Sequence, residues 1–393
     1  MKLVSVLTSS LTSILASSFM MLGMAMDGFA QTTSQKIQQK GLKLPLEKIK
    51  LPPGFQISVF AEAPGARSLA VTPSGVVFVG TRGGQKENNV YRIKPNKAGD
   101  KAASVEVFSN NFNSPNGVAF KDGKLYVADI SKITEFADAE TESGQTSASR
   151  VLTQIFPTDG HHGWKFIRFG PDGKLYVPVG APCNICDPKS DYARIFRLDV
   201  NGKDKEEVAQ GVRNTVGFDF HPETKELWFT ENGRDSLGDD IPGDEINRVT
   251  QIKEHFGFPY CHAGTISDKE FSGKDCKQFT SPEIVLRAHV AALGMRFYSG
   301  AQFPLEYKHQ IFFAEHGSWN RTKPQGYRIE VASLTGTKIT KVESFAEGWL
   351  QNESAWGRPV DIEIYKDGSL LVSDDKAGVV YRIRYTEPKN PPK

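Results

Sequence analysis

The sequence predicts an all-β fold, a six-bladed β-propeller. Six copies of a two-strand unit, with apolar and polar residues alternating, recur along the 393 residues. The 36 glycines and 22 prolines are typical of a chain with many turns, and no long helical period competes with the strand pattern. A single hairpin cannot bury its apolar face, whereas a closed ring of blades can, so the repeat favours a propeller.

Each copy consists of an alternating strand, a tight turn and a second alternating strand. In several copies the turn is Asp-Gly, a strong hairpin signal between two such runs. The predicted first strands are residues 69–71, 118–120, 167–169, 218–220, 295–297 and 362–364, and the second strands are residues 77–79, 125–127, 175–177, 227–229, 311–313 and 370–372. Five copies add a third strand with an arginine before an apolar residue: Arg92, Arg197, Arg248, Arg328 and Arg382.

One alternating strand, residues 55–60, precedes the first copy and has no partner in the repeat. We expect it to complete the last blade, which closes the ring by joining the two ends of the chain. The insertions after Asn232, Phe258 and Ser299 are predicted to be loops on the faces of the propeller.

The N-terminus has the features of an export signal. Lys2 is followed by an apolar, Ser- and Thr-rich run, and Gly28-Phe29-Ala30 supplies small residues for cleavage before Gln31. The alternative, a membrane anchor, is disfavoured because the run is too polar, and no other segment is apolar enough to span a bilayer. The predicted parts are a signal peptide (1–30), a linker (31–50), the propeller (51–388) and a tail (389–393), in a periplasmic or secreted protein.

Four cysteines are consistent with export, and local pairing of Cys183 with Cys186 and of Cys261 with Cys276 is the favoured one of three arrangements. The Cys183–Cys186 motif has other interpretations. Zinc would need further ligands, a thioredoxin-like site would need a βαβ unit, and covalent haem would need histidine where Asp187 stands. The net charge of +2 gives no electrostatic case for binding nucleic acid or an anionic membrane.

Alignment of the six copies places polar residues around one mouth of the central channel, where loops converge and ligand sites are expected. Before the first strands stand Asn113, Asn116, His161, His162, Arg213, Asn214 and Arg358; after the second strands stand Arg82, Asp129, Glu231, Asn232, Glu315, His316, Asp374 and Asp375. Such groups can also cap blades and satisfy loop backbones. We favour capping for Asp129, Asp374 and Asp375, and a functional role for His162 and Arg213.

An acidic cluster follows the second strand of the fourth copy. It contains Asp235, Asp239, Asp240, Asp244 and Glu245 together with exposed turn carbonyls. Hard oxygen ligands in a flexible loop suit calcium, although the spacing is not that of an EF-hand. A solvated acidic turn is an equally good interpretation of the same residues.

Three segments carry a resemblance to a known family. They are residues 160–176, which include His161-His162-Gly163-Trp164; residues 211–218, which include Arg213-Asn214; and residues 244–259, which include Asp244-Glu245-Ile246-Asn247. In this order they resemble the glucose/sorbosone dehydrogenase family, soluble quinone-dependent sugar dehydrogenases with six blades. The similarity extends from about Leu51 to Tyr385.

The resemblance implies the cofactors pyrroloquinoline quinone (PQQ) and calcium. It places His162 at the position of the general base, Arg213 and Asn214 where the quinone is held, and Arg358 near a cofactor-contacting arginine. Calcium would be held partly by main-chain carbonyls near Asp239 and Asp240. A second, structural calcium would use Glu245.

The sequence also departs from the glucose-oxidising members. Gly180-Ala181 stands where they have an acid, Asn320-Arg321 where they have a lysine, and a glutamine expected near Asn116 is missing. Substrate preference therefore does not carry over. Arg82, His316 and Arg321 are the residues expected to take over some of these contacts.

The favoured function is oxidation of the anomeric carbon of an aldose, or of a related sugar or aldehyde such as sorbosone. Electrons would pass to an external acceptor, because no haem motif or second redox domain is present. One alternative is a calcium-dependent lactonase, with Glu231, Asn232 and Asp375 on one metal. The other is a propeller that binds a partner without catalysis. The His162 and Arg213-Asn214 arrangement favours the dehydrogenase.

Overall fold

A computed structural model describes residues 35–82, 88–142, 144, 146–188 and 191–388. Its regular structure is almost entirely β-strand, arranged in six blades of at least four antiparallel strands each. The predicted six-bladed propeller is therefore confirmed. Within the described ranges no helix is long and apolar enough to cross a membrane.

Blades 1 to 3 each begin with an innermost strand at the channel and end with an outermost strand at the periphery. Blade 1 contains, in that order, Ala66–Val71, Val77–Thr81, Val90–Pro95, Ala102–Ser109 and, beyond them, Lys36–Ile37; blade 2 contains Gly117–Lys121, Lys124–Ala128, Ile133–Phe136 and Ser149–Thr153; blade 3 contains Arg168–Phe169, Leu175–Val179, Arg194–Leu198, Glu206–Gln210 and a parallel strand, Glu254–His255.

Blades 4 to 6 follow the same order. Blade 4 contains Phe218–Phe220, Leu227–Glu231, Gly243–Val249 and Ile284–Ala288; blade 5 contains Ala292–Phe297, Ile311–Glu315, Arg328–Thr335 and Lys338–Glu347; blade 6 contains Pro359–Ile364, Leu370–Asp374, Val379–Tyr385 and Phe55–Glu62. Outside the blades are the hairpins Cys261–His262 with Ile266–Ser267 and Leu350–Gln351 with Ser354–Ala355, and the 3-10 turns Leu46–Lys48, Cys276–Gln278 and Leu305–Tyr307.

The ring is closed by the strand that precedes the first repeat. Phe55–Glu62 pairs antiparallel with Val379–Tyr385, with Phe55 opposite Tyr385 and Glu62 opposite Val379. The expectation that this strand completes the last blade is confirmed. Backbone hydrogen bonds therefore join the two ends of the propeller, so no blade is left incomplete.

The core lies between blades. Each of six large apolar clusters combines side chains from two neighbouring blades, and together the clusters make a full circle. Between blades 5 and 6, for example, Phe55 lies edge-on against Phe303 and Phe345, with ring centroids 4.7 and 5.0 Å apart. Second strands such as Val77–Thr81 and Leu175–Val179 are buried at every position, because neighbouring blades cover both faces of each blade.

The middle residue of each predicted first strand occupies an equivalent position near the channel axis. In blades 1 and 2 it is alanine; in blades 3 to 6 it is Arg168, Asp219, Arg296 and Glu363, with charges that alternate around the ring. Arg168 contacts Asp219 at 3.2 Å and Glu363 at 2.7 Å, and Arg296 contacts Glu363 at 2.9 Å. This network joins four blades at the end of the channel opposite the predicted mouth.

The described part of the predicted linker, residues 35–50, packs on the propeller. The carboxylate of Glu62 accepts hydrogen bonds from the backbone N–H groups of Lys40, Gly41 and Leu42. Lys50 forms a backbone bridge with Glu347. The predicted signal peptide (1–30) and the tail (389–393) lie outside the described residues.

Both predicted disulfides are present, Cys183–Cys186 and Cys261–Cys276, and local pairing is confirmed. The second bridge staples the insertion that follows Phe258. Asp268, which lies in that insertion, contacts the guanidinium of Arg234 at 2.5 Å. Arg234 belongs to the loop at the channel mouth, so the insertion is tied to that loop.

Candidate active site

A cavity of about 360 Å³ opens at the predicted mouth of the channel. It brings together six residues that the sequence predicted for the site: Arg82, His162, Arg213, Asn214, His316 and Arg358. The lining also includes Arg67, Trp164, Asn232, Asp235, Asp244, His289, Trp319 and Asp375. The repeat predicted this convergence, because each residue stands next to the same end of an inner strand.

His162 is buried and held in one tautomer. Its Nδ1 lies 2.9 Å from the carbonyl oxygen of Ala181. Because a carbonyl only accepts hydrogen bonds, Nδ1 carries the proton and Nε2 keeps a free lone pair. Nε2 has no hydrogen-bond partner among the described residues. Burial, aided by the charge of Arg213, lowers the pKa of His162 well below its usual value. The side chain is therefore a neutral base at neutral pH.

The position where related enzymes are expected to have an acid makes room for this histidine. A Cβ at Gly180 would lie 2.6 Å from the Cβ of His162, which real contacts do not reach. The neighbouring Ala181 supplies the carbonyl that orients the ring. Gly180-Ala181 is thus part of the support of His162. His162 itself has a φ of 49°, in the left-handed region that is unfavourable for a side chain of this size.

Arg213 has all five N–H groups on protein acceptors. Its Nε donates to the carbonyl of Asn184 at 2.8 Å, and Nη1 donates to the carbonyls of Asn232 and Gly233 at 3.1 and 2.9 Å. Its Nη2 donates to the Asn184 side chain at 2.9 Å and to Asp235 at 3.2 Å. In this arrangement its charge reaches the cavity, but no N–H group is free for a ligand.

Asn184, which sequence reasoning missed, lies between the two cysteines of the short disulfide loop. Besides its two bonds to Arg213, its side-chain oxygen accepts from the backbone N–H of Asp235 at 2.8 Å, and its amide donates to the Asp235 carbonyl at 3.1 Å. The Cys183–Cys186 loop thereby fixes both Arg213 and the cavity wall. The closeness of the cysteines in the sequence was the only available signal.

Three further arginines bring positive charge to the cavity, which three aspartates also line. The guanidinium of Arg82 stacks on the indole of Trp164, 3.3 Å from the ring centroid. Burial and the nearby charge of Arg67 lower the pKa of Arg82 to about 9. Arg67 was not predicted, although it stands near the start of the blade 1 inner strand, the strand end that Arg213 and Arg358 precede in other blades.

His316 connects the remaining charges. Its Nδ1 accepts from Arg358 at 2.9 Å, and its Nε2–H donates to Asp375 at 3.0 Å. Burial lowers its pKa to about 4. Although burial alone would raise the pKa of Asp375, His316 and Arg67 hold it far below its usual value. With both ring nitrogens engaged, His316 cannot act as the base, and Asp375 lines the cavity instead of capping a blade.

Capping was predicted for three carboxylates, of which Asp129 and Asp374 cap loop backbones and Asp375 lines the cavity. Asp129 accepts from the backbone N–H groups of Ser131 and Lys132, and Asp374 accepts from those of Lys376 and Ala377. These two follow the expected capping pattern.

Several donors at the cavity lack a partner among the described residues. Nε of Arg358 and Nε1 of Trp164 are buried without a hydrogen bond, and the side-chain amide of Asn214 has none either. Buried N–H groups without acceptors are unfavourable unless a ligand satisfies them. Arg67, Arg82, Arg358 and these donors fit a flat ligand that carries several carboxylates and carbonyl oxygens, as a tricarboxylate quinone does.

The predicted calcium ligands near Asp239 and Asp240 do not line the cavity. Arg321 donates to the Asp239 carbonyl and contacts the Asp240 carboxylate at 3.1 Å, while the Asp239 carboxylate accepts from Thr322 N–H at 3.1 Å. The protein's own guanidinium thus occupies the place where a cation was expected. Arg321 serves this loop and does not reach the cavity lining.

Glu245 lies in the strand Gly243–Val249, so the acidic cluster is only partly a loop. Its carboxylate accepts from Asn247 at 2.9 Å and from the N–H of Ala263 at 2.7 Å. Across the described ranges, no three His, Cys, Asp or Glu side chains come together as a set that could hold a metal. The side chains predicted for calcium therefore do not fit that ion in this arrangement.

The residues considered for a lactonase metal are also engaged separately. Glu231 accepts from the backbone N–H groups of Arg213 and Asn214, and burial raises its pKa to about 8. Asn232 donates to the Ala292 carbonyl at 2.7 Å, and Asp375 is bound by Arg67 and His316. They do not form a common metal site, which argues against the lactonase.

Comparison with known proteins agrees with this architecture. Residues 126–382 match the family model for glucose/sorbosone dehydrogenase. An uncharacterised protein of Borreliella burgdorferi is 36% identical over 356 residues, covering 86% of this chain and 91% of its own.

Solved structures show the same fold at low identity. A Trichoderma reesei carbohydrate-active enzyme of family AA12, in its calcium structure, matches with a TM-score of 0.75 and 18% identity, covering 88% of this chain and 99% of its own. The PQQ domain of pyranose dehydrogenase from Coprinopsis cinerea, in its holo form, has a TM-score of 0.71 and 18% identity, covering 86% and 97%. Because the family model spans more than half of the sequence, the chain belongs to the glucose/sorbosone dehydrogenase family.

Proposed function

We propose that the protein is a PQQ-dependent dehydrogenase that oxidises the anomeric carbon of an aldose or a related sugar and passes the electrons to an external acceptor. The observation that carries the proposal is the cavity itself. A neutral histidine with one free ring nitrogen faces the same space as four arginines and unpartnered N–H donors. Family membership and the PQQ domain of the Coprinopsis enzyme support the same assignment.

The bound quinone would supply a two-electron acceptor, which amino-acid side chains do not provide. Arg67, Arg82 and Arg358 would neutralise its carboxylates, and the charge of Arg213 would add to their field. Nε2 of His162 would take the proton of the anomeric hydroxyl while hydride leaves the anomeric carbon, and Nδ1–H would stay on the Ala181 carbonyl. The sugar loses two electrons and two protons overall, which yields a lactone.

Calcium enters the proposal only as a requirement to be tested. The Trichoderma relative is described as a calcium structure, but in this chain Asp239, Asp240 and Glu245 are engaged with protein groups. No step of the proposed reaction is assigned to the ion.

We also propose that the protein works in the periplasm or outside the cell, after removal of residues 1–30. Two disulfides support this location, because such bridges persist in oxidising compartments and are rare in the cytosol.

The test is reconstitution of purified protein with PQQ, with and without Ca²⁺, followed by a panel of aldoses and a redox dye. We expect dye reduction that requires both the quinone and a sugar. If the protein instead hydrolyses sugar lactones with Ca²⁺ alone and shows no quinone-dependent reaction, the lactonase replaces the dehydrogenase.

A further inference from the structure

Trp319 is the most exposed large aromatic side chain that borders the cavity. It follows the second strand of blade 5, lines the mouth and is 74% exposed. Tryptophan is normally largely buried, because its indole contributes a large apolar area. An exposed indole at the rim of a polar cavity is suited to stacking on a ligand.

The loop that carries Trp319 is held firmly on its near side. The N–H of Ser318 donates to the Gln325 carbonyl at 2.9 Å, and the N–H of Gln325 donates to the Ser318 hydroxyl at 3.0 Å. The hydroxyl of Tyr327 donates to the carbonyl of Ser318. The backbone next to Trp319 is therefore fixed before any ligand arrives.

The far side of the loop is fixed by the residues predicted as calcium ligands. Asn320 donates to Asp235 at 3.3 Å, and Arg321 and Thr322 bind the acidic turn at Asp239 and Asp240. These contacts join the blade 5 loop to the blade 4 loop at the mouth. Their effect is to fix the backbone on both sides of the solvent-facing indole, which lowers the loop entropy lost when a ligand stacks on it.

The cavity is small for the occupants it would need. A volume of about 360 Å³ is near the lower end of ligand pockets. If the proposed function is correct, a three-ring quinone and one sugar ring would share this space, with the reacting carbon at His162. Any further sugar ring would then lie at the rim, where Trp319 is exposed.

We propose that Trp319 is a stacking platform for the second ring of an oligosaccharide whose reducing end enters the cavity. This inference rests on the proposed function. The apolar C–H face of a pyranose would pack on the indole, as apolar rings do on aromatic surfaces. The substrate class is therefore a saccharide of two or more units, not a monosaccharide alone.

The test compares kcat/KM for glucose, maltose and cellobiose in the reconstituted enzyme. We expect a disaccharide to be preferred over glucose, and Trp319→Ala to reduce that preference by about tenfold, which corresponds to about 1.4 kcal/mol. Trp319→Phe, which retains a ring, should keep most of it. Leu305→Ala is the matched control, because Leu305 is 84% exposed in the loop at the opposite face of the same blade.

Two other kinetic outcomes overturn the inference. Equal losses for glucose and disaccharides would assign Trp319 to the first ring, and a raised KM for the dye with unchanged sugar kinetics would assign it to the electron acceptor. If the wild type oxidises no aldose, the proposed function fails separately. Calorimetric titration of the protein with cellobiose then decides: binding that Trp319→Ala abolishes supports the platform, and no binding refutes it.

Discussion

Three buried histidines line the cavity, and they differ in how their ring nitrogens are used. His289 donates through Nε2 to the carbonyl of Gly238 at 2.8 Å. His162 donates through Nδ1 to a carbonyl and leaves Nε2 free, whereas His316 has both nitrogens bound, one by Arg358 and one by Asp375. His162 can accept a proton without breaking an existing bond, whereas His316 cannot. The geometry thus separates the base from a residue that positions charge.

His162→Ala is expected to bind PQQ with near-normal affinity but to reduce the bound quinone at least roughly a hundredfold more slowly, the lower range for loss of a general base. Stopped-flow absorbance at saturating sugar measures this step. Arg358→Ala is the comparison, since losing a cavity cation should weaken quinone binding first. A near-wild-type reduction rate in His162→Ala would transfer the role to another group.

The pH profile of kcat/KM follows from the same histidine. Burial lowers the pKa of His162 well below 6.5, so the active neutral form persists at neutral pH and is lost only when the pH falls through that lowered pKa. The acid limb assigned to this group should therefore lie below pH 6.5. A limb above 6.5 that disappears in His162→Gln would contradict the neutral base.

For individual residues, the repeat predicted several of those that meet at the mouth but missed Arg67. Arg82, His162, Asn214 and Arg358 stand at repeat-equivalent ends of inner strands, so a correct repeat places them at one mouth. The repeat could not predict that Arg213 donates its N–H groups to Asn184 and to the loop at residues 232–235, because irregular loops follow no sequence period. The prediction of calcium ligands near Asp239 and Asp240 was limited for the same reason, because these residues also lie in an irregular loop.

Among the structural elements, the disulfide loop at residues 183–186 acts as a clamp on the cavity wall. Its Asn184 bonds to Arg213 and to both backbone groups of Asp235. The bridge holds the two ends of the loop together and so limits the positions that Asn184 can take. This explains why a structural bridge stands beside a polar cavity.

The double variant Cys183→Ser, Cys186→Ser should lower the free energy of unfolding by about 2 kcal/mol in the chain-entropy model and weaken PQQ binding by about tenfold. Equilibrium titration with the quinone measures the second effect. Asn184→Ala, with the bridge intact, should reproduce the binding loss, whereas Asn184→Asp keeps an acceptor for Arg213. Unchanged affinity in both the double variant and Asn184→Ala would show that the loop does not position Arg213.

Across the whole propeller, a strand pairing and an ion-pair network help to hold the ring together. One is the strand Phe55–Glu62 in blade 6, and the other is the network of Arg168, Asp219, Arg296 and Glu363 across four blades. Alternation and Asp-Gly turns predicted the strands, because both are local signals. The charged network was not predicted, since it becomes visible only when strands distant in the sequence are placed side by side.

Glu363→Gln is expected to lower the free energy of unfolding at pH 7 by about 3 kcal/mol, because it removes a carboxylate from a buried arginine. Although burial opposes it, Arg168 and Arg296 lower the pKa of Glu363 to about 2. The stabilisation is thus present above the unfolded-state pKa of about 4.3 and is lost as the pH falls toward 2. Urea unfolding should show the wild-type advantage shrinking over that range.

Glu206→Gln is the control for that series. Glu206 pairs with Arg197 near the surface, 37% exposed, so its loss should change stability by at most about 1 kcal/mol. Equal effects of the two substitutions would mean that the inner network contributes no more than a surface ion pair.

The proposed function depends on two events, binding of PQQ in the cavity and its reduction there by a sugar. Absorbance titration of the purified protein with PQQ and Ca²⁺ under argon, followed by addition of an aldose or disaccharide, measures both. We expect saturable binding of one quinone per chain and reduction that stops after one turnover until a dye is added. Failure to bind the quinone, or a bound quinone that no sugar reduces, would refute the proposed function.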